Sequence, residues 1–164
     1  MKKYIITSLA LLLAVSFWNC EKDDICSEDT PTTPKLVIEF FDKLNGDNNK
    51  NLTNLQYFEI NSTDTLTSNA VSTLSIPLRT TENSTTFRLI LNGNDDDLTN
   101  DLIDDITINY ERNEIYVSRA CGYKTNFILN DLDGFTTTNN WIFVSGIANN
   151  IIDNEDETHV KIYF

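Results

Sequence analysis

Histidine is nearly missing from this 164-residue chain: His159 is the only one. A zinc site built on histidines therefore cannot form within one chain, and a Ser-His-Asp triad would have to recruit that single residue. No local signature supports such a triad, because G-x-S-x-G is absent, as are the P-loop and G-x-G-x-x-G. Positive charge is also scarce, with 12 Lys and Arg against 25 Asp and Glu and a net charge of −13. A surface so acidic repels nucleic acid and anionic headgroups, so nucleic acid is not an expected partner. No apolar run reaches the roughly 20 residues of a membrane-spanning helix. No amphipathic stretch exceeds two helical turns, and no repeat of fixed period is present. Cysteine is limited to Cys20, Cys26 and Cys121.

What is present begins with a leader. Met1-Lys2-Lys3 supplies positive charge, and Tyr4 to Trp18 is an uncharged run of 15 residues, the dimension of a signal-peptide core. Export is the expectation. Cys20 follows at once, the position at which a lipoprotein thiol is diacylated and becomes the new N-terminus. Asn19 stands where the small residue of a lipobox is usual, and cleavage after Ala14-Val15-Ser16 is the alternative, releasing an unanchored protein. Two acyl chains plus a third on the amino group, at about 0.8 kcal/mol per buried CH₂, give stable anchoring. The acidic residues that follow, Glu21-Lys22-Asp23-Asp24, form a solvated tether. They also resemble the C-x-K-(D/E)-(D/E) signal that sends lipoproteins of Bacteroidota-type bacteria to the outer face of the outer membrane.

Removing residues 1–19 leaves 145 residues, enough for one domain with a core, and shifts the formal charge from −13 to −15. In an oxidising compartment Cys26 and Cys121 are expected to pair, with two separate buried thiols as the alternative. The chain-entropy model values such a loop at about 4–5 kcal/mol. Residues 20–34 read as an acidic, proline-containing tether and residues 35–164 as the folded domain.

Within that domain the pattern is that of strands. Lys35–Asp42 places Leu36, Ile38 and Phe40 on one face, Leu52–Ile60 is a second strand, and Asn61–Asn69 a polar loop. Thr73–Leu78 contains Pro77, which cannot donate to a ladder and so predicts an edge or a bulge. Thr85–Leu91 points Phe87, Leu89 and Leu91 inward and Arg88 outward. Leu98–Ile103 has room for one helical turn capped by Thr99. Ile106, Ile108 and Tyr110 share a face, Glu111–Glu114 is the expected turn, and Ile115–Leu129 the return strand. Trp141–Ile147 is apolar on both faces, which predicts a central strand. Thr158–Phe164 alternates Val160, Ile162 and Phe164 with His159, Lys161 and Tyr163, which predicts a surface histidine. The expected fold is all-β, an antiparallel β-sandwich of about 7–8 strands, immunoglobulin-like or related, with a closed barrel as the alternative.

Three segments together, CEKDDIC, TPTTPKLVIEFFD and NYERNEIYVSRACGYKTNF, resemble an uncharacterised lipoprotein family of Bacteroidota-type bacteria, described as a domain of unknown function. The resemblance runs from Cys20 to about Phe127 and is looser beyond. It implies exported, β-rich lipoproteins and supplies no activity, cofactor or catalytic residue.

Local rules conflict at Ser118–Lys124. On a regular strand Arg119 would share a face with Ile115, Val117 and Cys121 and point inward, where a guanidinium needs a carboxylate or an anion. An ion pair, or a bulge at Gly122 that turns Arg119 out, satisfies that need structurally. The functional alternative is a pocket in which Arg119, Tyr123 and Lys124 hold an anionic group. Asn92–Asp97 superficially suggests a Ca²⁺ loop, but an EF-hand needs Gly sixth and Glu twelfth, and here those are Asp97 and Ile103. Asp64-Thr65-Leu66 fits a short D-(S/T)-apolar pattern of O-glycan attachment at Thr65, with an unmodified loop as the alternative. The expectation is a lipid-anchored outer-membrane or surface lipoprotein, an interaction or accessory module with no metal, cofactor or enzymatic activity. Its membrane contact runs through Cys20, with an envelope protein or glycan as partner. The alternatives are binding of an anionic or glycan ligand near Arg119 and Tyr123, and a hydrolase of unrecognised type.

Overall fold

The structure is a computed structural model that describes Tyr4 and residues 25–164. The leader, Cys20 and the Glu21–Asp24 segment lie outside the described residues. Two compact units are distinguished, residues 1–31 with 116–124, and residues 32–115 with 125–164. Among the described residues no helix is long and apolar enough to cross a membrane.

The larger unit carries a β-sandwich. Its strands are β1 (Leu36–Phe41), β2 (Leu55–Glu59), β3 (Leu66–Ser68), β4 (Thr73–Ile76), β5 (Ser84–Leu91), β6 (Leu102–Ser118), β7 (Gly122–Leu129), β8 (Phe135–Thr137), β9 (Val144–Ile147), β10 (Ile151–Ile152) and β11 (Val160–Tyr163), with β6 and β7 continuing into the smaller unit. One open sheet has the order β4-β1-β11-β9, and the other β10-β7-β6-β5-β2-β3, with β8 paired to β6. The inward faces meet in one apolar core that takes Leu36, Ile38 and Phe40 from β1, Phe87 and Leu89 from β5, and Ile106 and Ile108 from β6. These are the alternate positions that period-two patterning assigns to the buried face.

Pairing is antiparallel except in one place. β1 and β11 run parallel, with Ile38 opposite Val160 and Phe40 opposite Ile162. Parallel neighbours need a long crossover, and here nearly the whole domain serves as one, joining its first strand to its last. β4 stops at Ile76, immediately before Pro77, on the edge of its sheet, where a missing N–H does no harm.

Several expectations are corrected. The strand count is higher than foreseen because β3, β8 and β10 are only 3, 3 and 2 residues long, and β3 lies inside the segment read as a polar loop. Leu98–Ile103 forms no helical turn; Asp97 Oδ1 instead accepts bonds from the Thr99 amide and hydroxyl, which holds a bend, and β6 begins at Leu102. β9 is an edge strand rather than a central one, with Val144 59% exposed.

The main hairpin turns at residues 119–121, not at Glu111–Glu114, and β6 is continuous for 17 residues. A tight reversal favours a residue that accepts positive φ, and Gly122 takes φ +71°. Arg112, in contrast, is held along an extended backbone, donating to Asn83 Oδ1 at 2.7 Å and to the Thr80 carbonyl at 2.6 Å.

The smaller unit contains the hairpin tip and the chain preceding the domain, joined by the Cys26–Cys121 disulfide. Around it the Cys121 amide donates to Ser118 Oγ at 3.1 Å.

Candidate functional site

The residues singled out in the sequence fall in several places. Arg119 is exposed in the 119–121 turn, so the interruption of the strand takes it off the inward phase of β6. Tyr123 is 67% exposed and meets Tyr116 edge-on at 5.3 Å between ring centroids, while Lys124 is half-buried. Thr65 is exposed in the loop preceding β3. In the Asn92–Asp97 loop Asp95 and Asp97 accept backbone amides two residues on, from Asp97 and Thr99. Among the described residues no group of three or more His, Cys, Asp and Glu side chains could hold a metal ion.

His159 overturns the surface assignment, being fully buried. Its backbone N–H donates to the Val37 carbonyl and its Nδ1 accepts the Val37 N–H, both at 3.0 Å, so the ring is stitched to β1. Because Nδ1 is an acceptor, the ring is neutral and its proton sits on Nε2, which is buried and finds no partner among the described residues. Burial pushes its pKa below the ordinary 6.5, opposed by the negative charges of Glu157, Asp153 and Glu155. At this end of β11 the preceding loop is tied to the start of the domain, where the Lys35 amide donates to Glu155 Oε1 at 3.2 Å.

Among the described residues one carboxylate is fully buried and hydrogen-bonded, and the sequence reading did not single it out. Asp104 is 0% exposed and occupies the same inward phase of β6 as Ile106, Ile108 and Tyr110. Its oxygens accept the backbone amides of Asn140, Trp141 and Ile142 at 3.0, 2.7 and 2.9 Å, and the Thr138 hydroxyl at 2.6 Å. Successive amides converging on one anion form a nest, and the reversal that aims them is set by Asn139 at φ +57°. The signal was there in the alternation, which puts a carboxylate at a core position where it must be fully hydrogen-bonded.

This latch fixes the loop that builds a groove on the larger unit. Trp141 and Phe143 come from the latched loop, Lys43 and Lys50 from the turn after β1, Leu102 from β6, and Phe164 from the end of β11. The cleft has a volume of about 540 Å³. Its aromatics brace one another, with Trp141 meeting Phe164 edge-on at 5.3 Å and Phe164 meeting Phe40 at 6.2 Å. Lys43 Nζ lies 3.6 Å from the Phe143 ring centre, and Lys50 Nζ lies 4.3 Å from that of Phe164 while donating to the Phe164 carbonyl at 2.9 Å. Ammonium groups are attracted to the faces of aromatic rings.

Upstream, the turn is held by Asp42, whose Oδ1 accepts the Leu44 and Asn45 amides at 2.7 and 3.3 Å. The Leu44 bond is the main reason that its pKa lies below the usual value, and the charges of Lys50 and Lys43 act in the same direction. No Asp or Glu side chain lines this groove. Two other clefts are acidic, one lined by Glu111, Asp131 and Asp133, the other by Glu82, Glu111 and Asp133. A fourth, beside Arg79, holds Glu59 and Asp64 and is occupied by the Arg79–Glu59 ion pair at 2.9 Å.

No curated protein and no solved structure matches the chain. A protein-family model described as a family of unknown function, DUF6452, matches residues 53–164 and so takes in the C-terminal strands, where the resemblance read from the sequence was loosest. With more than half its length matched, the chain belongs to the DUF6452 family of unknown function.

Proposed function

We propose that the chain is a lipid-anchored component of the cell envelope, an outer-membrane or surface lipoprotein acting as a non-catalytic interaction module. The observation that carries this reading is the sulfur accounting. Cys26 and Cys121 are bonded to each other, which leaves Cys20, directly after the apolar leader, as the one cysteine with a thiol to acylate. The pairing also fits an exported protein, since disulfides persist in oxidising compartments. A non-catalytic role is supported by His159, whose accepting nitrogen is spent on a backbone amide and whose ring is sealed from solvent. Tyr116 and Tyr123, 55% and 67% exposed at the hairpin tip, offer the kind of amphipathic rings that contact surfaces favour.

The anchor is tested in a bacterial host by replacing Cys20 with Ala and separating membrane from aqueous fractions. The variant is expected to leave the membrane, and globomycin is expected to accumulate the uncleaved precursor of the parent. An unacylated product beginning near Phe17, or a variant that stays in the membrane, refutes the anchor.

A further inference from the structure

We infer that the groove lined by Lys43, Lys50, Trp141 and Phe143 binds an acidic saccharide, with the two ammonium groups receiving the anionic substituent of the sugar. The inference does not depend on the lipid anchor, since the groove belongs entirely to the larger unit.

Charge is the first argument. On a chain of net −13, a cleft lined by two lysines and by no Asp or Glu side chain concentrates positive charge, with Asp42 beside the lysines as a nearby counter-charge, and low-dielectric walls focus such a field. Among the described residues neither lysine is bonded to an Asp or Glu side chain; those ion pairs are made by Arg79 and Arg88. An ammonium has three donors, and Lys50 uses one on the Phe164 carbonyl, so both retain donors for a ligand.

The second argument concerns what lies between the charges. A bare inorganic anion is best held by converging backbone amides, and this chain already uses that device for Asp104. The groove offers apolar surface instead, from Leu102 at 48% exposed and Phe143 at 61%, flanked by the side-chain amides of Asn51 and Asn140. Asn140 donates its Nδ2 to the Ile103 carbonyl at 2.7 Å, which fixes the amide and leaves Oδ1 as an acceptor for a hydroxyl. A sugar ring presents an apolar C–H face and a rim of hydroxyls, and a uronate adds one carboxylate. The cleft's volume falls within the range of small-molecule sites, about 300–1,000 Å³.

The test uses the full chain carrying Trp18→Phe, so that Trp141 becomes the only tryptophan and its emission reports on this groove alone. The probes are a glucuronate-terminated disaccharide, its neutral glucose counterpart and inorganic phosphate. The acidic disaccharide is expected to give a saturable change that weakens with added salt, and the other two are expected to give none. In that background Lys43→Gln is expected to weaken binding about tenfold or more, the worth of one charged hydrogen bond, with an unchanged melting temperature. Lys50→Gln provides the second readout and is expected to weaken it similarly. No response to the acidic disaccharide, equal binding of the neutral sugar or of phosphate, or an affinity indifferent to Lys43→Gln would each overturn the inference.

Discussion

Removing the carboxylate of Asp104 is expected to be among the most damaging single changes in the domain. Asp104→Ala leaves four donors without their acceptor, the amides of Trp141 and Ile142 in buried bonds and the Asn140 amide and Thr138 hydroxyl in partly buried ones. At about 1–3 kcal/mol for each buried group left unpaired, the gross loss is large. Relaxation of the loop and entry of water into the vacated space return part of it, leaving about 3–5 kcal/mol, the usual cost of breaking a buried charged network. Against a domain stability of about 5–15 kcal/mol, that is a lowering of the melting temperature by roughly 10–15 °C. Asp104→Asn keeps one acceptor oxygen but turns an NH₂ toward amide donors, so about 2–3 kcal/mol is expected. Urea denaturation of the oxidised protein measures both, and amide exchange at Asn140, Trp141 and Ile142 locates the damage. An Asp104→Ala midpoint within about 1 kcal/mol of the parent refutes the latch, since no network of this kind costs so little to break.

Stability should also depend on pH through His159, because its pKa in the folded state lies below the ordinary 6.5. The unfolded chain then binds the proton more readily, so this contribution is complete above pH 6.5 and declines as pH falls from there to the folded value. The slope is at most about 1.4 kcal/mol per pH unit. His159→Gln is expected to flatten it between pH 7.5 and 5.5, and an unchanged slope counts against a neutral buried imidazole. Arg88 and Asp105 face each other across β5 and β6 and pair at 2.7 and 2.8 Å through Nε and Nη2. Arg88→Ala is expected to cost only about 0.5–1 kcal/mol because the pair is partly solvated. The Arg88 bond holds the Asp105 pKa below 3.8, so the benefit is present above that value and fades on acidification through the folded one. A loss from Arg88→Ala that stays constant down to pH 2 would remove the ion pair as its cause.

Wherever one face of a strand is dry and the other wet, the sequence can be read directly. β5 is such a strand, with Phe87, Leu89 and Leu91 buried and Arg88 turned to Asp105, and so is β6 from Ile106 to Tyr110. Reading failed where that contrast was missing. β9 is apolar on both faces yet sits on an edge, and nothing local distinguishes exposed Val144 from a buried one. His159 alternates correctly with Val160, but its ring accepts the Val37 amide, a contact across 122 residues. Glu111–Glu114, the expected turn, is polar, but polarity permits a turn without forcing one. Gly122, with its positive φ, was the stronger cue.

The groove was still less accessible to sequence reading, for a reason that bears on how it could work. Lys43 and Lys50 lie in the turn after the first strand, while Trp141 and Phe143 lie in a loop held by Asp104 on β6. No window of sequence contains both halves. The parallel pairing of β1 with β11 brings the Lys43 amide to the Phe164 carbonyl at 3.2 Å, and the Asp104 nest independently fixes the other wall. The two walls are therefore preorganised by different interactions, one a backbone ladder and one a buried carboxylate. Loosening the second should leave the lysines in place while displacing Trp141 and Phe143. Asp104→Asn, if it folds, is then expected to weaken binding of the acidic disaccharide while leaving its salt dependence intact, because the ammonium groups still meet the anion. Lys43→Gln should do the reverse, reducing the salt dependence along with the affinity. The same loss of salt dependence in both variants would mean that the groove is not built from two separately supported walls.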